Sequence, residues 1–129
     1  MSNLPLYLAY LGTAVALIAA FTTIYLMITP YSEITLIRQG NSAAAVSLGG
    51  TIIGFAIALH SAAANSVSLM DMALWGAVGL ASQVVVFLLV CVKLPGFRGG
   101  IEGDKIGYGI TLASLSIAMG IVNAGSLTY

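Results

Sequence analysis

His60 is the one histidine in the chain and the one side chain whose ordinary titration lies near neutral pH. Ser61 follows it, and an intramembrane serine hydrolase needs a serine held against a base. Neighbours on a helix point about 100° apart, so these two do not face each other and the serine would have to come from another helix. At that rotation His60 points about 120° away from Gly50 and Gly54, toward the side of Ile53 and Ile57. It stands as a candidate pH-sensitive residue against a structural or interfacial one. Gln83 and Asn123 each carry amide donors and an acceptor that need partners in a membrane, from a neighbouring helix or from a substrate. Cys91 is alone in an apolar run, which gives neither a disulfide nor a thiolate cluster. The sequence has no carboxylate pair, no His/Cys metal spacing and no cofactor motif. The expectation is a protein that is not an enzyme and uses no cofactor.

The elements that hold these residues follow from composition. Of 129 residues, 60% are hydrophobic and 6% charged, with a mean hydropathy of +1.07, against about 25% charged in a soluble domain. A water-soluble globule and a disordered chain are both excluded, and four basic residues against four acidic ones leave no cationic surface for nucleic acid. A hydrocarbon core about 30 Å thick takes about 20 apolar residues at 1.5 Å each. Four stretches qualify, 6–29, 43–64, 72–94 and 106–128, and Lys93 is their one charged residue. The first lacks a basic start and its apolar run is long, so it reads as a span and not as a cleaved signal. With no alternation of period two, the spans read as helices. The fold class is an all-α membrane protein, a single domain over 1–129 in contact with the lipid bilayer.

Arg38 lies between the first and second spans, and Lys93, Arg98 and Lys105 flank the connection between the third and fourth. Cations mark the cytoplasmic side, which puts both termini on the non-cytoplasmic side. In the first connection Thr29 reads as an N-cap before Pro30, with Glu33 in the first turn and Gly40 and Asn41 as the stop. Tyr31, Ile34 and Ile37 recur every three residues, which predicts a short amphipathic helix at the membrane surface; the alternative is a first span running on past a Pro kink. The second connection, 95–100, holds one proline and three glycines and reads as a plain turn; without a preceding strand or a following Lys-Ser/Thr it is no phosphate loop. Ser68 and Asp71 are candidate caps of the third span.

A shift of 64 residues lays the second half on the first, residue size matching at Val46–Leu48 and 110–112 and at Gly12 and Gly76. The expected repeats are 1–64 and 65–129, two tandem parallel helical hairpins. Lipid supplies no hydrophobic drive between helices, so small residues that admit close backbone approach become the packing candidates. Gly50, Gly54, Ala58 and Ala62 recur every four residues, as do Gly12, Ala16 and Ala20; Gly76, Gly79 and Gln83 share one face, and Ser116, Gly120 and Asn123 another. Such stripes pack helices tightly or line a pore.

The order Thr29-Pro30-Tyr31-Ser32-Glu33, then Leu36-Ile37-Arg38-Gln39-Gly40-Asn41, Leu48-Gly49-Gly50, Gly54-Phe55, Trp75-Gly76, Gln83 and Gly120-Ile121-Val122-Asn123-Ala124 resembles the bacterial inner-membrane family called domain of unknown function 350, or UPF0719. The resemblance spans the whole chain. It implies a small multispanning inner-membrane protein of paired hairpins serving envelope-stress systems, and it carries over no mechanism; His60 departs from the family's apolar or small residue. Two functions follow as expectations. One is a homo-oligomeric scaffold that captures a cytoplasmic stress-response partner through Glu33, Arg38, Gly40 and Asn41. The alternative is a small oligomeric ion channel or transporter, its path or packing formed by Gly49, Gly50, Gly54, Gln83, Gly120 and Asn123.

Overall fold

In a computed structural model describing residues 3–29 and 31–126, the chain forms six helices: α1 (Leu4–Ile28), α2 (Glu33–Arg38), α3 (Ser42–Asn65), α4 (Leu69–Lys93), α5 (Phe97–Glu102) and α6 (Ile106–Ser126). Helices α1, α3, α4 and α6 are long and apolar enough to cross a membrane. Their ends lie within a few residues of the expected spans, the end of the fourth falling outside the described residues.

Helix α3 is the axis of the bundle, the most enclosed span, against which α6 packs most closely and α4 and α1 more loosely. The α3–α6 contact is made by backbone. A Cβ on Gly50 would overlap Ala113, one on Gly54 the Ser116 carbonyl, one on Gly109 the Ala43 carbonyl, and one on Gly120 the Gly54 carbonyl. Gly50, Gly54 and Gly120 thus sit at the closest approach of the two helices, where glycine alone fits. Gly49, grouped with them by sequence, has nothing within 4 Å of where a Cβ would stand and takes no part. The Gly12, Ala16 and Ala20 stripe faces outward from α1. Aromatic rings fasten α1 to the rest: Phe21 stacks on Phe55 with centroids 4.4 Å apart, and Tyr25 meets Phe87 edge-on at 5.5 Å.

The two short helices lie at the same end of the bundle and correct three expectations. Thr29 is the C-cap of α1, held extended at ψ 138 before Pro30, and Ser32 precedes α2. Because α2 starts only at Glu33, Tyr31 is out of phase with it. The inward face is then Glu33, Leu36 and Ile37, spaced i, i+3, i+4, while Ile34 is exposed. The expected Tyr31–Ile34–Ile37 apolar face does not form. The stretch expected to be a plain turn holds the first four residues of α5: Gly96 in the left-handed region at φ 79 starts it, and buried Phe97 and Ile101 hold it against the core. Tertiary burial outweighs two glycines, one of which, Gly100, is needed because a Cβ would strike the Tyr108 ring.

Both short helices end in the same way. Gly40 (φ 88) closes α2, with Gly40 N donating to the Ile37 carbonyl and Asn41 N to the Leu36 carbonyl; Asp104 (φ 56) closes α5, with Asp104 N donating to Ile101 and Lys105 N to Gly100. Each terminus then reaches across to the other half. Asn41 Nδ2 donates to the Ile101 carbonyl at 2.7 Å, and Asp104 Oδ1 accepts from Ala43 N at 2.9 Å. Asn41 Oδ1 also caps α3 by accepting from Ala44 N at 2.8 Å. At the opposite end Ser68 caps α4 by accepting from Asp71 N, and Asp71 accepts from Val67 N.

Candidate functional site

Most hydroxyls in the spans satisfy themselves on their own helix: Thr13, Thr22, Thr23, Thr111 and Ser126 each donate to the carbonyl four residues back. A second group does not face lipid. Tyr25 of α1, Ser47 and Thr51 of α3, Gln83 of α4 and Ser116 of α6 are all buried in the middle of the bundle. Gln83 Nε2 donates to the Ser116 carbonyl at 3.0 Å, Ser116 Oγ lies 3.4 Å from Thr51 Oγ1, and Thr51 Oγ1 lies 3.5 Å from the Tyr25 hydroxyl. Thr51 sends its own proton to the Ser47 carbonyl at 2.8 Å. Four helices therefore contribute to one internal line of polar groups, and Gln83 Oε1 on it has no hydrogen-bond partner among the described residues.

The line points toward the end of the bundle that holds α2 and α5, where Glu33 is buried at 1% exposure. Among the described residues neither of its carboxylate oxygens has a hydrogen-bond partner, and neither has the Tyr31 hydroxyl. Tyr25 and Tyr31 lie within electrostatic reach of the carboxyl. Burial pushes Glu33 from its ordinary value of 4.5 up to about 7. The Thr29 hydroxyl beside it offsets this in part. The Tyr31 hydroxyl is raised as well, first by burial and then by Tyr25 and Glu33.

Glu33 was expected on an exposed surface with Arg38, Gly40 and Asn41, and the structure separates the four. Arg38 and Gly40 are exposed at the tip of α2, whereas Glu33 is turned inward and Asn41 is spent on the cap of α3 and the end of α5. Gln83 joins Gly54 and Ser116 where three helices meet. Asn123 lines a cavity of about 160 Å³ with Ala58, Trp75 and Gly79, and its Nδ2 has no partner among the described residues. His60 is exposed in a groove between α1 and α3 with Tyr7 and Tyr10. It lies 18 residues along α3 from Ser42, about 27 Å from the Glu33 end. The hydroxyl line was not singled out from sequence, although Ser47, Thr51 and the Gly54 position share one face by their spacing of four and three.

No group of three or more His, Cys, Asp or Glu that could hold a metal ion exists among the described residues. The site's chemistry is that of one carboxylic acid set in hydroxyl and aromatic groups. It can hold or release a proton.

The family profile described as Domain of Unknown Function (DUF350) matches residues 1–127. UPF0719 inner membrane protein YjfL of Escherichia coli (strain K12) is 35% identical over 129 residues, covering 100% of this chain and 98% of that protein. UPF0719 transmembrane protein YshE of Bacillus subtilis (strain 168) is 27% identical over 121 residues, covering 92% of this chain and 90% of that protein. No solved structure matches. With four apolar spans and a profile match along nearly its whole length, this integral membrane protein belongs to the DUF350 (UPF0719) family.

Proposed function

We propose that the protein is a small channel or transporter subunit of the bacterial inner membrane, with both termini on the non-cytoplasmic side and α2 and α5 in the cytoplasm. The observation that supports this is the internal line Gln83–Ser116–Thr51–Tyr25 leading toward Glu33. A scaffold needs only an apolar interior, whereas polar groups within a membrane are costly and face paths for ions or substrates. The test is ion flux by purified protein in liposomes. Proton, sodium or potassium flux should exceed that of empty vesicles, and Gln83→Leu and Thr51→Val should each lower it by about tenfold, roughly 1.4 kcal/mol on the barrier. Flux no greater than in empty vesicles overturns the reading.

The scaffold reading retains one supporting observation, the exposed Ile34, Thr35 and Arg38 of α2 and Gln39 and Gly40 just after it. It expects that replacing these by Ala and Ser leaves membrane insertion intact but abolishes co-purification of a cytoplasmic stress-response partner; unchanged co-purification would sink it. A homo-oligomer fits either function, since the Gly12, Ala16 and Ala20 stripe is left open on α1. The repeat also fits, because α2 and α5 begin at Glu33 and Phe97 and α3 and α6 at Ser42 and Ile106, 64 residues apart in both cases.

A further inference from the structure

We propose that Glu33 is a proton-binding site and that the proton it carries is the ion coupled to transport. The coupling rests on the transport reading above; the residence of a proton on Glu33 does not.

The placement of the carboxyl carries the argument. It is almost fully enclosed, with neither oxygen hydrogen-bonded among the described residues. A carboxylate in such surroundings needs a cation, and none faces it among the described residues. From α1 and the link that follows come Tyr25, Thr29 and Tyr31; behind the tyrosines α3 sets Ser47 beside Tyr31 and Thr51 beside Tyr25. Cys91 of α4 faces the two tyrosines, α5 presents the Phe97 ring to Tyr31, and Tyr108 of α6 stands behind that ring. The cations of this end, Arg38, Lys93, Arg98 and Lys105, are exposed, and Arg98 is paired with Glu102 at 3.6 Å. A buried acid without a cationic partner takes a proton in preference to staying charged. A single carboxylate with hydroxyl neighbours offers one negative charge, which one proton neutralises. The step forms one O–H bond on a Glu33 oxygen and breaks one in a hydronium ion, which is left as water; no group changes oxidation state.

The surface lies close on one side of the carboxyl and the hydroxyl line on the other. Glu33 opens a six-residue helix whose next residues, Ile34 and Thr35, are exposed, so the carboxyl is less than one helical turn from the surface. Inward, the Tyr25, Thr51 and Ser116 hydroxyls continue toward the centre of the membrane. Burial holds the proton up to about pH 7, which makes it exchangeable near neutrality.

The experiment is pH-stepped infrared difference spectroscopy of the full chain in nanodiscs, for wild type, Glu33→Gln and Glu33→Asp. The other acids, Asp71, Glu102 and Asp104, are common to all three proteins, so subtracting the Gln variant isolates position 33. A protonated-carboxyl band should disappear with a midpoint near pH 7, be absent in Glu33→Gln, and return in Glu33→Asp. A midpoint near the ordinary Glu33 value of 4.5, or loss of the band on adding sodium or potassium at fixed pH, overturns the proton site. In liposomes, Glu33→Gln should reduce proton flux at least tenfold while the protein remains folded by circular dichroism. Undiminished flux in that variant overturns the coupling. Absence of flux in the wild type removes the transport reading, and the infrared titration still decides whether Glu33 binds a proton.

Discussion

Gly54 and Gly120 face each other's helices so closely that a methyl group would meet main-chain atoms, which cannot rotate aside. Gly54→Ala or Gly120→Ala should therefore destabilise the protein by about 1–3 kcal/mol, the range for overpacking, read as a lower melting temperature in detergent. Gly49→Ala adds its methyl to open space and removes a poor helix former, so it should leave stability unchanged or raise it by up to about 1 kcal/mol. Glu33 imposes a pH dependence of its own. Its folded value, about 7, lies above the unfolded one, so between pH 4.5 and 7 the native state holds a proton that the unfolded chain has released. Stability then falls as pH rises through that window, by on the order of 3 kcal/mol, and is flat above it. Glu33→Gln should abolish this slope in denaturation midpoints measured at pH 5 and pH 8. An unaltered slope in that variant would assign the effect to another group.

The short helices show how local signals combine with distant ones. Gly40 was legible as a stop because a left-handed residue after a helix is a glycine's place. Asp104 serves the same role in α5 without that signature, and its carboxylate, held in the left-handed region, reaches Ala43 N. Asp104→Asn keeps both the backbone preference and an acceptor and should be nearly neutral. Asp104→Ala loses both and should cost about 2 kcal/mol, the sum of a cap and a left-handed residue. Asn41→Ala removes the α3 cap and the tie to Ile101 together and should cost about as much. Chemical denaturation in detergent measures all three. Helix α5 was not legible because two glycines within six residues argue against a helix. The burial of Phe97 and Ile101 against residues far off in the chain decides otherwise, and no local window contains that term.

In the molecule as a whole, α1 is the least enclosed span, joined to the bundle chiefly by Phe21 and Tyr25. Phe21→Ala removes the ring stacked on Phe55 and should cost about 3–5 kcal/mol. It should also raise proteolysis of the link between α1 and α3 before the remaining helices melt. An even number of spans puts both ends of the chain on one face. Reporter fusions at the two ends should give the same sidedness, opposite to a tag inserted at Gln39 in α2's exposed end.

Composition alone determined that the chain is a membrane protein of four helices, because about 20 uninterrupted apolar residues have one stable way to cross hydrocarbon. Small residues at Gly50, Gly54 and Gly120 made close helix contact available, and only the fold chose them over the outward Gly12, Ala16 and Ala20 stripe. Which way Glu33 points was open to neither argument. It depends on where α2 begins and on how Asn41 and Asp104 pin the two halves together. Those are contacts between residues about 60 positions apart in the chain. Folding, by bringing them together, encloses an ionisable group that the sequence alone places at the surface.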